Sequence, residues 1–574
     1  MPYTPGRWPS LPAMMLTRAA EWADRPLFRH WQGDAWRSLT WGDFAVQVAA
    51  VAAFLRGRGV APGDRVLLVS ENRPEFPIAD TAIMAIGAIT VPTYTTNLPA
   101  DHAHILRDSG ARAAVVSTRR LAEKVLEGAA LANGLDLLVC CEDPPTAAGL
   151  AGHPWAEAIA TPGDPAALAA EAEQISPEAI ACLIYTSGTG GLPKGVMLPH
   201  RALLANRDGV APLAERLALS GKPYLSFLPL SHSYEHTVGG FLLPSLGMEV
   251  VYSRGADRLS HELGEIRPAV ITAVPRLFEV LRGRILAGLE KEKPWKRALF
   301  DRAVALGLRR MDGPPLGLLD RLQDALLDRL VREKTRARFG GRLQAMVSGG
   351  ARLDPDLSGF FLALGLPVLQ GYGQTEAGPV VSVNLPWDNR RTTVGPPLKG
   401  VGLRIAEDGE VLIQGALVMT GYWNNPEATA SALKPIDGAP GDWLHTGDVG
   451  VIEDGRLRIT DRKRDFIKTL GGDMVSPAKI EALLMAEPEI HQALVAGEGK
   501  PALVALIVPA EGMAEKIGDA VRRVNGKLPT IERIRHFAAT DPFTIENGLL
   551  TPTMKVKRRA AIEARRQEIE TLAG

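Results

Sequence analysis

The segment Thr186-Ser187-Gly188-Thr189-Gly190-Gly191-Leu192-Pro193-Lys194 follows the apolar run Ala181-Cys182-Leu183-Ile184-Tyr185. Glycines let backbone N–H groups close on an anion, the hydroxyls donate to phosphate or bind a metal, and the lysine adds a point charge. By composition it is a phosphate cradle. It is not a Walker A loop, because Lys194 is flanked by Pro193 and Gly195 where that motif needs a glycine and a hydroxyl. Glu376, in Tyr372-Gly373-Gln374-Thr375-Glu376, offers a hard carboxylate suited to Mg²⁺. His232-Ser233-Tyr234-Glu235-His236 matches H-x-x-E-H, a zinc-hydrolase pattern that needs a helix and a distant further ligand. Here it follows Leu228-Pro229-Leu230 and is expected at a strand end. No G-x-S-x-G elbow is present.

The glycine-rich loop resembles the signature T-S-G-T-T-G-x-P-K-G of the adenylate-forming enzymes, the superfamily of acyl-CoA synthetases, firefly luciferase and peptide-synthetase adenylation domains. The likeness continues through residues 228–236, Ser348-Gly349-Gly350-Ala351, residues 370–382, 441–450, 461–481 and 546–559. In order and spacing these segments cover the chain from about residue 40 to 565, and they look most like the long-chain fatty acyl-CoA synthetases.

That resemblance implies a two-step reaction. A carboxylate attacks ATP to give an acyl adenylate and pyrophosphate, and the acyl group then passes to the thiol of CoA. Phosphoryl chemistry of this kind is mostly positioning and charge neutralisation, so no protein nucleophile is required. By resemblance Ser187, Gly188, Thr189, Gly190 and Lys194 hold the phosphates, and Glu376 shares Mg²⁺ with Thr186. Gly349, Gly350 and Ala351 form the wall that admits adenine, Tyr372 stacks on it, and Gly373 and Thr375 lie alongside. Asp448 accepts from the ribose hydroxyls, as a carboxylate can from two donors, and Arg462 reaches the same ribose from a linker. Lys555, chosen over Lys557 by the pattern lysine, apolar, any, Arg, Arg, bridges substrate carboxylate and α-phosphate. His232 lies beside the acyl pocket. The C-terminal domain is expected to rotate about Arg464 between steps, withdrawing Lys555 and bringing in the Lys468 to Gly472 loop. Gly471 and Gly472 would line the pantetheine tunnel, where absent side chains permit close approach. Gly190 replaces the usual second threonine, which implies one weaker phosphate contact.

The implied substrates are a medium- to long-chain fatty acid, ATP and CoA, with Mg²⁺. Gly471-Gly472-Asp473-Met474-Val475-Ser476 also resembles acyl-ACP synthetases, so acyl carrier protein is an alternative thiol donor.

The elements that must position these groups are legible in the apolar pattern. Ten short apolar runs between about residues 60 and 375, from Arg65-Val66-Leu67-Leu68-Val69 to Leu366-Pro367-Val368-Leu369, alternate with amphipathic stretches. This predicts an α/β fold with largely parallel sheets buried on both faces. From Val394 to Asp461, alternating strands with Asp408-Gly409 and Asp454-Gly455 predict a small antiparallel β-subdomain. Beyond it the pattern predicts a smaller, mobile α+β C-terminal domain: helix, two strands, another helix and a basic tail. The expected division is 1–460, a charged and exposed hinge at 461–465, and 466–574. Residues 281–340 read as long amphipathic helices with 15 Lys+Arg against 8 Asp+Glu. They are expected to form a solvated hairpin over the core, with peripheral contact to the inner membrane face as a second role.

The 574 residues carry 65 Lys+Arg and 65 Asp+Glu, so no global field draws nucleic acid. Cys140, Cys141 and Cys182 are too few and badly spaced for a disulfide framework or a C-x-x-C metal site. The N-terminus lacks a signal-peptide pattern, and Thr81 to Ala100 reads as a buried helix, strand and loop rather than a span. A cytoplasmic protein is expected.

Overall fold

The structure is a computed structural model that describes residues 6–573 except 133, 147–148, 151, 187–191, 437, 464–466, 471–473, 501 and 552–555. All ten apolar runs form strands, divided between two large sheets. One sheet pairs Arg65–Val69, Ile89–Thr93, Ala113–Val116, Leu137–Cys140 and Ile180–Thr186 in parallel, then turns antiparallel through Lys194–Pro199 and Gly421–Tyr422. The other runs in parallel through Pro223–Ser226, Glu249–Tyr252, Val270–Ala273, Ala345–Ser348 and Val368–Gly373, with antiparallel Val380–Val383 at its edge.

Helices Leu11–Glu21, Trp41–Gly57 and Glu75–Ala85 contribute Leu11, Trp41, Phe44 and Phe76 to one core that also takes in Val66 and Tyr224 from the two sheets. Strands buried on both faces read as continuous apolar runs, which is why they were legible. Thr81 to Ala100 is the expected helix end, strand and loop. Among the described residues no helix is long and apolar enough to cross a membrane. The cysteines are free, with Cys140 and Cys182 buried.

The hairpins Gly402–Ile405 with Glu410–Gln414, and Asp442–Glu453 with Arg456–Arg462, turn at the two Asp-Gly pairs as expected. The junction differs from expectation. Arg462 is the last residue of a strand, registered opposite Asp448, and Asp461 is buried. Lys463 is tethered by ion pairs to Asp408 and Glu410 (2.8 Å). Asp461 is thus buried, and Arg462 and Lys463 are half-buried and ion-paired to residues of the neighbouring strands and turn.

The C-terminal strands Ile490–Ala496 and Leu503–Pro509 gain a third, Ile534–Ala539, and the basic tail folds as helices Arg558–Ala564 and Arg566–Ala573. Helices Pro294–Asp312 and Leu318–Leu327 form the expected hairpin; the first buries Phe300, Ala303 and Leu306, but the second turns most of its leucines outward. Arg332 is wholly buried, while Leu318, Leu319 and Leu322 are exposed.

One buried polar cluster sets the backbone beside the site. Glu235 accepts hydroxyls from Tyr224 (2.6 Å), Ser226 (2.5 Å) and Thr272 (2.7 Å), and burial pushes its carboxyl pKa up. The π-helical turn Val238–Leu242 follows, and a Cβ on Gly239 would lie 2.2 Å from Glu235 Oε1. Because three donors hold that carboxyl, it cannot move aside cheaply. Gly239→Ala is expected to destabilise the protein by about 1–3 kcal/mol, the usual cost of overpacking. A urea unfolding midpoint unchanged from that of the unmodified protein would refute this constraint.

Candidate functional site

The C-terminal ends of strands from both large sheets deliver the expected residues to one region, where open α/β sheets bind ligands. Thr186 ends Ile180–Thr186, Gly349 and Gly350 follow Ala345–Ser348, and Tyr372 and Gly373 end Val368–Gly373. Thr375 and Glu376 lie on the short turn after it. Gly373 can only be glycine, because a Cβ there would lie 1.7 Å from the Pro379 carbonyl oxygen.

A cavity of about 610 Å³ is shared by Thr186, Lys194, His232, Gly349, Tyr372 and Glu376. Its apolar walls come from Val210 and Leu213 of helix His200–Arg216 and Leu217 just past its end, from Val238 and Leu242 of the π-turn, and from Leu369. A wider cleft of about 2090 Å³ opens toward the C-terminal domain and carries Ala351, Asp448 and Arg462 on its wall.

Asp448 is the most tightly held of the expected residues. Tyr372 Oη donates to one of its oxygens (2.7 Å) and Arg462 Nε to the other (2.8 Å). Burial, then the Asp448 charge, holds the Tyr372 phenol well above its usual pKa, so it remains a donor. Glu376 accepts from Tyr422 Oη at 2.8 Å, and the Lys194 ammonium sits 5.0 Å above that tyrosine's ring. A carboxylate and a hydroxyl facing one cavity, Glu376 and Thr186, are a donor set that suits a hard divalent cation. Thr375 Oγ1 lies 2.8 Å from Ser233 Oγ, and Tyr234 donates to the Val347 carbonyl (3.1 Å), which seats its ring against Gly349.

His232 begins the helix Ser233–Thr237, where its Nδ1 accepts from Tyr234 N–H at 3.2 Å. The H-x-x-E-H run is thus helical, not at a strand end. It still makes no metal site. Glu235 is engaged by three hydroxyls, His236 Nε2 lies 2.9 Å from Asp80, and among the described residues no group of three His, Cys, Asp or Glu could hold a metal ion.

Burial lowers the pKa of His232 to about 4, of His102 to about 4 and of His200 to about 3. All three are neutral when folded and take up a proton more readily when unfolded. The unfolded chain therefore binds more protons between these values and about 6.5, so their stabilisation is present above that range and is lost as pH falls through it. Each contributes a slope of about 1.4 kcal/mol per pH unit mid-window. Glu235, with its raised pKa, acts in the opposite sense. Thermal unfolding should move to lower temperature between pH 6.5 and 4; an unchanged midpoint would overturn the assignment of neutral histidines.

Several functional neighbours were not singled out from the sequence: Tyr422, Ser233, Tyr234, Glu410 and Thr446. Glu410 accepts from Gly447 N–H (2.7 Å) and pairs with Lys463, while Thr446 Oγ1 accepts from Asp448 N–H (3.0 Å). Together they fix the turn that carries Asp448. Lys468 is not brought to this region. It is exposed on the short strand Ile467–Lys468, and its backbone N–H donates to Glu498 (2.9 Å). Ser187, Gly188, Thr189, Gly190, Arg464, Gly471, Gly472 and Lys555 lie outside the described residues.

The sequence matches the AMP-binding enzyme family over residues 16–423, and the C-terminal domain of the AMP-binding enzymes over 464–573. The chain belongs to the AMP-binding enzyme family. Among its relatives is the long-chain-fatty-acid–CoA ligase FadD15 of Mycobacterium tuberculosis, 34% identical, with 100% of this chain and 98% of that protein aligned. The peroxisomal long chain acyl-CoA synthetase 7 of Arabidopsis thaliana is 28% identical over 91% of this chain and 80% of its own length. Among solved structures, the A-PCP didomain of a carboxylic acid reductase from Segniliparus rugosus, in complex with AMP, superposes with a TM-score of 0.76. It is 20% identical, covering 99% of this chain and 82% of that one, and shows the shared AMP-binding fold.

Proposed function

We propose that the protein activates a medium- to long-chain fatty acid with ATP to an acyl adenylate and pyrophosphate, then transfers the acyl group to CoA, releasing AMP. The observation that carries this reading is the single cavity in which Thr186, Lys194, Tyr372 and Glu376 meet the apolar walls of helix His200–Arg216 and the π-turn. An acyl tail can leave water there while its carboxylate stays among polar groups. Two full-length relatives whose names specify long-chain acids support the same choice.

In this reading Tyr372 presents its ring to adenine, with Gly349, Gly350 and Ala351 as the facing wall. Asp448 accepts from the ribose hydroxyls, and Lys194 with the 187–190 loop neutralises phosphate. Glu376 and Thr186 would hold Mg²⁺, which supplies positive charge against the phosphates. Neutral His232 lines the acyl cavity without adding charge. Lys555 bridges carboxylate and α-phosphate, Arg464 is the pivot, and the Lys468 to Gly472 loop serves the thiol step. The division into 1–460, 461–465 and 466–574 belongs to the same reading, as do a cytoplasmic location and membrane contact through the 281–340 helices.

The test is pyrophosphate release across carboxylates from acetate to palmitate, followed by thioester formation with CoA or acyl carrier protein. Release that rises with chain length and yields acyl-CoA is the expected result. Release with short or aromatic acids alone would overturn the substrate class, and transfer to carrier protein alone would overturn CoA as acceptor.

A further inference from the structure

The helix Leu318–Leu327 is mounted with its apolar side outward. Leu318, Leu319, Leu322 and Leu326 are 79%, 83%, 71% and 57% exposed, and Leu330 in the next turn is 41% exposed. At 100° per residue the four helical leucines occupy one continuous stripe of about 100°. Soluble surfaces scatter single leucines, but a contiguous stripe marks an interaction site.

The stripe cannot turn inward, because the opposite side of the hairpin is locked. Arg332, wholly buried, donates to the carbonyls of Ala363 and Ala303 (both 2.7 Å) and pairs with Asp324 (2.6 Å). Leu327 packs inside with Leu306 and Leu316. Rotating the helix would strand a charged pair that is now fully bonded.

Within residues 318–330 the unpaired charges are of one sign. Their carboxylates are already neutralised: Asp320 pairs with Arg309 (2.8 Å), Asp324 with Arg310 (2.9 Å) and Arg332, and Asp328 with Arg336 (2.9 Å). Arg321 on this helix and Arg329 on the π-helical turn that follows it, both exposed, make no ion pair among the described residues. Exposed leucines bordered by unpaired arginines fit an apolar medium whose surface is anionic.

We propose that this leucine stripe docks the enzyme, in the plane of the interface, on a bilayer containing anionic phospholipid. The leucines enter the acyl boundary, and Arg321 and Arg329 meet the headgroup phosphates. This deepens the membrane contact of the functional reading and rests on that reading for its lipid-borne substrate. The stripe would also hold the protein at the surface where such acids partition.

The test uses the full chain in flotation with phosphatidylcholine vesicles, with and without phosphatidylglycerol. The expected result is binding that requires phosphatidylglycerol and weakens with salt. Leu319→Ser/Leu322→Ser/Leu326→Ser should lower partitioning about tenfold or more, because apolar area no longer leaves water. Arg321→Glu/Arg329→Glu should remove the preference for phosphatidylglycerol. Both variants should release pyrophosphate in lipid-free solution at the unmodified rate, since neither touches the site. Equal flotation of the leucine variant and the unmodified chain would overturn the proposal, as would no flotation of the unmodified chain. Sedimentation showing self-association without lipid, abolished by the same leucine substitutions, would assign the stripe to a second copy instead. Because flotation needs no acyl substrate, loss of the fatty-acid assignment in the carboxylate panel would leave this result readable on its own.

Discussion

Glu376→Gln is expected to lower pyrophosphate release by between about 10²- and 10³-fold while leaving the unfolding midpoint unchanged, the scale of losing a preorganised charge contact. The amide keeps the shape of the carboxylate and can still accept from Tyr422 Oη, so the local backbone has no reason to move. What it loses is the negative charge toward the divalent cation that we propose Glu376 shares with Thr186, which lines the same cavity. Tyr422→Phe separates the two roles. It removes the 2.8 Å hydrogen bond that orients Glu376 while keeping the ring beneath Lys194, and should cost about 1 kcal/mol, less than tenfold in rate. Raising Mg²⁺ should recover part of the activity of the glutamine variant. Near-normal release by Glu376→Gln at limiting Mg²⁺ would remove Glu376 from the metal role.

Asp448→Ala should cost roughly 10²-fold in kcat/KM for ATP, about 3 kcal/mol, as expected for losing hydrogen bonds to a charged acceptor. Both carboxylate oxygens are engaged, by Tyr372 and Arg462, yet each retains a lone pair for a ribose hydroxyl. The discriminating substrate is 2′,3′-dideoxy-ATP. The unmodified enzyme should lose as much with it as Asp448→Ala loses with ATP, and the variant should be nearly indifferent between the two nucleotides. A variant that still discriminates between them by the full factor would show that the ribose is read elsewhere. Tyr372→Phe is a useful companion, since it frees one oxygen of Asp448 without removing the acceptor.

The parts of this architecture that were legible were those set by local pattern. Continuous apolar runs such as Val66-Leu67-Leu68-Val69 became strands because parallel strands covered by helices need no polar face. Asp454-Gly455 closed a hairpin because both residues adopt positive φ, at 48° and 73°. Thr186, Tyr372, Glu376 and Asp448 all stand in recognisable motifs; the fold brings the first three to one cavity, and Asp448 reaches Tyr372 from the middle of a strand in another sheet. What escaped was tertiary pairing. Nothing local marks Tyr422 as the partner of Glu376, or Asp80 as the partner of His236, because those contacts join distant segments. The 461–463 charges read as an exposed linker since each is polar; only the register of Arg462 opposite Asp448 shows otherwise. Lys468 fell within a motif, yet it is exposed on a short strand and lines neither cavity in this arrangement. The amphipathic hairpin at 294–327 was legible, but not the outward leucines of its second helix, because periodicity reports that a helix has two faces without saying which one the core takes.

The bond between Arg462 and Asp448 has a reciprocal meaning. One partner, Asp448, is the proposed ribose acceptor, and the other stands two residues before Arg464. Any rearrangement of the connection that withdraws the guanidinium leaves a buried carboxylate short of a donor, and a bound ribose could supply one. Nucleotide occupancy and the setting of the junction are then linked equilibria. Whatever free energy ATP contributes toward one setting, that setting must return as tighter ATP binding. A single ion pair of 2.8 Å can in this way act as a thermodynamic clutch between ligand and domain orientation.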